Sequence, residues 1–315
     1  MASNQAPPSF MEQLKSLFDP PSIMLMALPH HIRVWKEAIF TGNILAPIFQ
    51  FSRLRDEAFG RFWVEFSGEF LYDTYHINWA MSHLITGTRP RDDTNAEPVG
   101  SSALIPPLLK SSEGIVLDIG PGTGTQMHLL TSKSIKALYG PEPCVGLHAQ
   151  LRKRAITAGI TEKYHILPCG VVANDLLPAL RATGTGVTDA YDSDPKSGIF
   201  DTILCVRVLC SVPAMENTVK ELYGLLKPGG RLLVTEHVVN KPFSAKGSVL
   251  ARVAQAVWMW LGWRLLIGDC CLDRDTETVL RKAAGDEGWE SVELEKSFEW
   301  SAMPYLSGVL TKKNL

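Results

Sequence analysis

The sequence predicts an α/β protein with a mostly parallel sheet, preceded by an N-terminal helical segment. The first observation is an apolar run, Ile115 to Ile119, that leads directly into a glycine-rich turn. The second is the alternation of short apolar segments with amphipathic segments from Gly114 onward, which is typical of a sheet covered by helices on both faces. The third is the length of 315 residues with 45% hydrophobic content. A chain of this size can form one domain of about 200 residues plus an extension.

The N-terminal part of the chain differs in pattern from the rest. Residues 1–112 precede the first predicted strand and contain helical segments separated by prolines and glycines. Residues 86–102 are polar and rich in turn-forming residues, as in a linker. We therefore predict an N-terminal helical cap with its linker over residues 1–112. A second domain, which holds the sheet, is predicted over residues 113–315.

One face of this N-terminal part carries aromatic and histidine side chains. Tyr72, Tyr75, His76, Trp79 and His83 recur at helical spacing. Such a stripe is usual in a helix that faces a core and whose polar atoms find local partners. The alternative is that the face lies over a bound cofactor or substrate. Tyr72, Tyr75 and His76 are therefore candidate substrate-pocket residues.

Seven apolar segments of strand length follow in the second domain. They lie at about 115–119, 135–140, 164–168, 200–205, 231–236, 290–297 and 304–312. Residues 181–198 interrupt this rhythm with glycines and with Asp189, Asp192 and Asp194. Grouped carboxylates can hold a metal ion. Their polar, flexible setting instead predicts a solvated loop, and we expect no metal site.

The turn after the first predicted strand indicates a cofactor site. The segment V-L-D-I-G-P-G-T-G begins at Val116 and reads as a buried strand that runs into the turn. Gly120, Gly122 and Gly124 lack a Cβ atom, so a ligand can approach the backbone amides closely. Their spacing differs from the dinucleotide pattern G-x-G-x-x-G, which favours a cofactor other than NAD. Taken alone, the turn also fits a structural role or another nucleotide.

Three further signals follow the glycine turn in order. Glu142 ends the second predicted strand, where a carboxylate about 20 residues beyond the turn holds ribose hydroxyls in βαβ units. A surface glutamate in a proline-rich turn is the alternative for Glu142 alone. Phe200 to Cys205 is a predicted strand that begins F-D-x-I. Leu225 to Gly230 is a predicted helix end followed by a Pro-Gly-Gly turn.

Together, D-x-G-x-G-x-G, the G-x-E-P of the second strand and the two later segments resemble the class I S-adenosylmethionine (SAM) dependent methyltransferases. The resemblance implies a Rossmann-like seven-stranded sheet, SAM as cofactor and a small-molecule substrate. Val208 to Val212, Glu236 to Val238 and Cys270 to Arg274 are similar to the alkyl thiol methyltransferase type, within a resemblance that covers about residues 114–312. The departures are G-P-E-P in place of D-P-N-P, the insert, a longer cap and no evident N-terminal membrane anchor. The acceptor atom therefore stays open.

The resemblance also implies which residues bind the cofactor. They follow the first four predicted strands, and parallel strands bring such positions to one edge of a sheet. The candidate cofactor-binding residues are Asp118, Gly120, Pro121, Gly122, Gly124, Glu142, Pro143, Cys169, Gly170, Arg207 and Val208.

Two features beyond the fifth predicted strand bear on the substrate. His237 is the best-placed general base for a hydroxyl acceptor, and orientation of neighbouring backbone is its alternative role. A thiol acceptor needs no strong base because it is partly thiolate at neutral pH. Residues 248–267 form an apolar helical segment in which Trp258 and Trp263 are candidate pocket residues. Packing against the N-terminal cap is the alternative for this segment.

Composition excludes several other classes of protein. The formal net charge of −2 offers no basic surface for nucleic acid. Six cysteines without C-x-x-C spacing indicate reduced thiols, with neither a zinc site nor a disulfide framework. The start of the chain has no secretory pattern, and no uncharged segment reaches the roughly 18 apolar residues of a membrane span. We expect a cytoplasmic protein, and the apolar residues at 23–28 and 39–51 are compatible with peripheral membrane contact.

Three functions fit these residues. The first is methyl transfer to a small, apolar molecule with a thiol or hydroxyl acceptor, as in secondary metabolism. The second is methylation of a lipid or quinone at a membrane surface. The third is a noncatalytic SAM-binding protein that keeps the methyltransferase fold.

Overall fold

The computed structural model describes residues 8–69 and 98–314 and shows an α/β fold. The candidate pocket residues Tyr72, Tyr75 and His76 lie outside the described residues. The helices are α1 (Phe10–Ser16), α2 (Asp19–Phe40), α3 (Ala46–Phe49), α4 (Phe51–Glu69), α5 (Ile105–Leu109), α6 (His148–Thr157), α7 (Ala173–Ala182), α8 (Asp189–Ser193), α9 (Met215–Leu225), α10 (Val249–Trp260), α11 (Trp263–Leu266) and α12 (Thr276–Lys282). The strands are β1 (Gly114–Ile119), β2 (Ile135–Pro141), β3 (Tyr164–Leu167), β4 (Phe200–Val206), β5 (Leu226–His237), β6 (Trp289–Ser297) and β7 (Tyr305–Lys312).

The strands form one seven-stranded sheet with the order β3-β2-β1-β4-β5-β7-β6. Parallel pairing joins β3, β2, β1, β4 and β5, and the sheet as a whole is mixed. The predicted α/β, Rossmann-like, mostly parallel sheet is therefore confirmed. Strand order reverses at β1, from which the chain proceeds to β2 on one side and later to β4 on the other. Ligands of such sheets bind outside the carboxyl ends of the strands near this reversal.

The fifth strand begins earlier than the sequence predicts. We expected a turn at Pro228–Gly230 before a strand at 231–236, but β5 already starts at Leu226. The pairing explains the difference, because Phe200 lies opposite Leu226 whereas Thr202 lies opposite Arg231. The Pro-Gly-Gly segment is thus an irregularity within the strand. A Cβ atom at Gly230 would lie 2.8 Å from the carbonyl oxygen of Lys227, so the bulge needs glycine there.

The core around the sheet is built from the centres of neighbouring strands. Val116, Leu138, Leu204 and Leu233 come from four adjacent strands and are buried in one cluster. Leu151 of α6 belongs to the same cluster. Strands buried on both faces carry continuous apolar runs, which is why their positions are readable from sequence.

The chain divides into two compact units. The sheet unit comprises Leu104–Glu236, Asp275–Lys296 and Leu306–Leu315, and the helical unit comprises Met1–Ala103, His237–Arg274 and Ser297–Tyr305. Two segments from the second half of the chain thus group with the N-terminal helices. The predicted division near residue 112 stays a prediction.

The helical unit is held together by α2 and α4. Val34, Ala46, Leu54 and Ala58 form a buried cluster. Within the same unit, the indole N–H of Trp258 donates to the carbonyl oxygen of Leu17 at 3.1 Å. The apolar segment around α10 therefore packs on N-terminal residues, as one of the two interpretations of that segment predicts.

The acidic insert of the sheet unit is partly helical. We predicted a solvated loop over residues 181–198, but residues 189–193 form α8. The carboxylate of Asp192 accepts from the guanidinium of Arg181 at 2.6 Å, and this hydrogen bond lowers the pKa of Asp192. Asp194 accepts from the backbone N–H of Lys196 at 3.0 Å. These local contacts organise the segment.

The helices that the structure describes lie within residues 8–69 and 98–314. None of the helices described there is both long enough and apolar enough to cross a bilayer.

Candidate functional site

The glycine turn follows β1 at the carboxyl edge of the sheet. Gly120, Gly122 and Gly124 all have positive φ angles, of 53°, 60° and 80°. A Cβ atom at Gly120 would lie 2.6 Å from Cγ2 of Val208, and one at Gly124 would lie 2.9 Å from Cδ1 of Leu151. Side chains are thus disfavoured by conformation at all three glycines and by space at Gly120 and Gly124, so a ligand can approach the backbone of the turn closely.

Hydrogen bonds hold the turn in place. The N–H of Gly120 donates to the carbonyl oxygen of Pro141 at 3.0 Å, and that of Gly124 donates to Pro121 at 2.9 Å. The guanidinium of Arg154, on α6, donates to the hydroxyl of buried Thr123 at 2.6 Å and to its carbonyl oxygen at 3.2 Å. The turn is therefore held in place by β2 and by α6.

Glu142 lies directly against this turn. Its Oε2 accepts from the N–H of Gly122 at 2.9 Å, and its Oε1 accepts from the N–H of Cys144 at 2.8 Å. The residue is only 5% exposed, and this burial raises the pKa of its carboxyl group, against the two hydrogen bonds, which lower it. Each carboxylate oxygen keeps a second lone pair. Glu142 and the glycine turn, both predicted from the sequence, are thus in contact. Each carboxylate oxygen of Glu142 can still accept one more hydrogen bond.

Asp118 forms a second buried acid at the end of β1. The phenol of Tyr164 donates to its Oδ2 at 2.7 Å. Burial raises the pKa of Asp118, the Tyr164 hydrogen bond lowers it, and the charge of Glu142 raises it, so that the pKa of Asp118 is about 6. Asp118 and Glu142 are both buried, and the charge of Glu142 disfavours ionisation of Asp118. A cationic ligand beside them would favour the ionised form of both carboxyl groups.

The remaining candidates follow β3 and β4. The N–H of Cys169 donates to the carbonyl oxygen of Leu167 at 2.9 Å, and burial together with the charge of Asp175 raises the pKa of its thiol to about 11. Gly170 comes next in the chain. Because β1 to β4 run parallel, these residues share the carboxyl edge with the glycine turn.

Glu236 fixes the segment after β4. Its Oε1 accepts from the N–H groups of Val208 at 2.8 Å and Leu209 at 2.9 Å. Arg207 has a positive φ of 55°, which is unusual for a residue other than glycine. Its N–H donates to the carbonyl oxygen of Thr235 at 2.8 Å. The buried end of β5 therefore determines where Arg207 and Val208 lie.

His237 belongs to the helical unit and is buried there. Its Nε2 lies 3.1 Å from Sγ of Cys270, and its ring contacts Tyr305 edge to face at 6.3 Å. The residue is 4% exposed. The contact of His237 is therefore with a side chain, and its alternative role in orienting neighbouring backbone also stays a prediction. Its role as a general base stays a prediction.

The two candidate pocket tryptophans are also in the helical unit. Trp263 is fully buried, and the indole N–H of Trp258 donates to the carbonyl oxygen of Leu17. In contrast, Leu250 and Val253 on α10 are 59% and 53% exposed. Within this unit the tryptophans contribute to packing, and their contact with a substrate stays a prediction.

Tyr164 and Arg154 contact the site but are not among the residues that the sequence predicts for it. Arg154 carries no signal beyond its place on a helix. Tyr164 is marked indirectly by Gly140, an isolated glycine within β2. A Cβ atom at Gly140 would lie 2.5 Å from the phenol oxygen of Tyr164. A glycine inside a strand commonly indicates such a close approach.

Comparison with known proteins identifies the family. Residues 99–294 match the methyltransferase domain. The chain belongs to the methyltransferase domain family. The prediction of a class I SAM-dependent methyltransferase is confirmed, and SAM is its cofactor. The Cβ-free turn beside two buried carboxyl groups fits this group, because SAM combines a nucleoside with a positively charged sulfonium.

This methyltransferase resembles curated thiol methyltransferases at low identity. It is 26% identical to thiol S-methyltransferase TMT1B of Rattus norvegicus over 206 residues, which cover 64% of this chain and 72% of the relative. It is 32% identical to the Homo sapiens TMT1B over 90 residues, 29% of this chain and 34% of the relative. Among solved structures, an O-methyltransferase family protein from Burkholderia thailandensis is 14% identical with a TM-score of 0.48, covering 92% of this chain and 72% of that chain.

Proposed function

We propose that this methyltransferase transfers the methyl group of SAM to a small, apolar thiol. The observation that carries the cofactor half of this proposal is the contact between the Glu142 carboxylate and the N–H of Gly122 at 2.9 Å. It joins the acid after β2 to the glycine turn after β1, within one βαβ unit. The acceptor half is supported by the thiol S-methyltransferases to which the chain is similar.

Each part of the edge has a role in this proposal. Glu142 accepts from the ribose hydroxyls through its remaining lone pairs. Gly120, Gly122 and Gly124 allow close backbone approach, and Asp118 balances the positive charge of the cofactor. The other residues line the cofactor from the neighbouring strand ends; they are Pro121, Pro143, Cys169, Gly170, Arg207 and Val208.

In this reaction the main task of the protein is to hold the acceptor sulfur in line with the methyl group of SAM. Bound SAM supplies an electrophilic methyl group on a sulfonium. The acceptor sulfur forms the new C–S bond as the sulfonium C–S bond breaks, and the thiol proton passes to solvent. Holding two reactants in line supplies up to about 7–11 kcal/mol of the barrier. A thiol with a pKa of about 8.5 is partly ionised at neutral pH, so no strong base is needed.

Substitution of His237 distinguishes a thiol acceptor from a hydroxyl acceptor. If the acceptor is a thiol, we expect His237→Ala to keep much of its activity at pH 9, where free thiolate is abundant, and to lose more at pH 6.5. With a hydroxyl acceptor the loss should persist across this range, because the acceptor stays protonated. The measurement is a pH profile of methyl transfer to matched thiol and phenol substrates.

The matched control for this variant is His31→Ala. His31 is equally buried in the same unit, and its Nε2 lies 3.1 Å from the carbonyl oxygen of Leu266. Both variants remove a buried imidazole, so thermal unfolding of each reports the loss of packing. A His237→Ala enzyme with wild-type activity at every pH would remove His237 from the mechanism.

Exposed apolar side chains favour a second candidate, methylation of an apolar acceptor at a membrane surface. Phe40 ends α2 and Phe49 ends α3, and they are 85% and 78% exposed. Ile44 and Ile48, which lie between them in sequence, are 68% and 69% exposed. Isolated exposed apolar residues are ordinary, but a continuous group of them indicates an interaction surface. Aromatic and aliphatic side chains of this kind can enter the boundary between headgroups and acyl chains.

Vesicle co-sedimentation tests this second candidate. We expect the chain to bind vesicles of mixed phosphatidylcholine and phosphatidylserine, and the double variant Phe40→Ser with Phe49→Ser to bind at least about tenfold more weakly, since each buried aromatic contributes about 1.5–3 kcal/mol. Phe243→Ser is the control, because Phe243 is 94% exposed but lies between β5 and α10. Absence of vesicle binding by the wild-type chain, or equal binding by both variants, would contradict this candidate.

A further inference from the structure

A buried contact joins three neighbouring strands behind the glycine turn. Tyr164 is the first residue of β3, and its phenol reaches across β2 to Asp118 at the end of β1, with an O–O distance of 2.7 Å. The path runs over Gly140, where a Cβ atom would collide with the phenol oxygen at 2.5 Å and with the ring at 2.9 Å. The contact therefore depends on a tyrosine, an aspartate and a glycine together.

We propose that Tyr164 is a positioning residue for cofactor binding, whose phenol holds the Asp118 carboxylate in a fixed orientation beside the glycine turn through the gap left by Gly140. The inference rests on the proposed cofactor site, because it gives Asp118 a part in binding SAM. Tyr164 itself touches the carboxylate and not the reacting atoms. Its influence reaches the cofactor only through Asp118.

The phenol matters because the other surroundings of Asp118 oppose its charge. The charge of the Glu142 carboxylate, at the end of β2, raises the pKa of Asp118. Burial and the charges of Glu236 and Asp118 raise the pKa of the buried Cys205 thiol on β4, so this thiol stays neutral and adds no charge. Burial disfavours the ionised form of Asp118 further. The hydrogen bond from Tyr164 is the contact that favours it. Without the phenol oxygen, burial and the charge of Glu142 would raise the pKa of Asp118 further, because the hydrogen bond that lowers it would be lost.

The consequence is a pH-dependent affinity for SAM. With the pKa of Asp118 at about 6, the contribution of Asp118 to the affinity should be constant well above that pH and fall below it as the carboxylate protonates. In Tyr164→Phe the pKa rises, so the midpoint of the affinity profile should move to higher pH by about one unit. That shift alone lowers affinity about threefold at pH 6.5 and has little effect at pH 9. KM for SAM should rise with it, whereas kcat should change little.

The experiment is calorimetric titration of the full chain with SAM from pH 5 to pH 9. Tyr164→Phe is compared with Tyr139→Phe, because Tyr139 is also buried and its hydroxyl instead contacts the Thr185 hydroxyl at 2.9 Å. Tyr139→Phe should leave the midpoint unchanged. Gly140→Ala should reproduce the alkaline shift by displacing the phenol, and Tyr164→Phe alone decides if that variant does not fold.

Asp118→Asn separates this inference from the proposed function. Weakened binding in Asp118→Asn with an unshifted profile in Tyr164→Phe would overturn the role of Tyr164 and leave the proposed cofactor site intact. Unchanged binding in Asp118→Asn would overturn the role of Asp118 in the site, and the inference with it. Weakened binding in Asp118→Asn together with the alkaline shift in Tyr164→Phe, absent in Tyr139→Phe, supports both.

Discussion

The substitution Gly122→Val is expected to abolish measurable SAM binding while the chain stays folded. Gly122 has a φ of 60°, and its N–H donates to Glu142 in the middle of the turn. A branched side chain there would occupy space beside the backbone of the turn, where the proposed site places the cofactor. We expect an affinity loss of at least about a hundredfold, which corresponds to about 2.7 kcal/mol or more. Titration calorimetry with SAM and with S-adenosylhomocysteine measures it.

Backbone strain must be separated from steric exclusion in this experiment. Gly159→Val serves as the control, because Gly159 has a similar φ of 67° and an added Cβ atom there meets nothing within 4 Å. A left-handed conformation costs an ordinary residue about 1–2 kcal/mol, so both variants should lose similar thermal stability. Only Gly122→Val should lose SAM affinity. Equal affinity in the two variants would remove the glycine turn from the cofactor site.

The second large effect is expected for Glu142→Ala. The carboxylate accepts two backbone N–H groups and, in the proposed site, the ribose hydroxyls as well. Hydrogen bonds to a charged acceptor contribute about 1.5–3 kcal/mol, so affinity should fall by about 10-fold to 150-fold. SAM and S-adenosylhomocysteine should be affected alike, because both carry the same ribose.

Glu142→Ala also leaves two buried N–H donors without their acceptor, so its stability must be measured separately. Glu142→Gln keeps a side-chain oxygen for one donor and should be more stable than Glu142→Ala. Glu162→Ala is the matched control, since Glu162 is an exposed glutamate in the short turn before β3. A fall in SAM affinity of less than about threefold would assign Glu142 to the structure of the turn alone.

The sheet and the centre of the proposed site were predictable from sequence for a specific reason. Strands buried on both faces must be apolar, and a backbone turn that excludes side chains must be glycine. Both requirements act on residues that are close in sequence, so the strand and the turn can be recognised within about ten consecutive residues. Asp118, Gly120, Gly122 and Glu142 lie within two such windows, and the structure brings Gly122 and Glu142 into hydrogen-bonding contact.

What escaped prediction depends on contacts between distant residues. The early start of β5 follows from its register with β4, and α8 is accompanied by the ion pair of Arg181 with Asp192. Tyr164 approaches Asp118 across 46 positions of sequence. Local propensity carries no information on such pairs. Only the isolated glycine at position 140, inside a strand, indicated that something packs closely against the backbone there.

The most direct test of the central claim is transfer of a labelled methyl group from SAM to a small alkyl thiol. The full chain is incubated with a panel of thiols, phenols and carboxylates, and products are identified by mass spectrometry, with Gly122→Val as the inactive control. We predict a saturable S-methylated product from apolar thiols, formed by the wild-type chain and absent with Gly122→Val. A wild-type chain that binds SAM yet methylates no thiol would contradict the account.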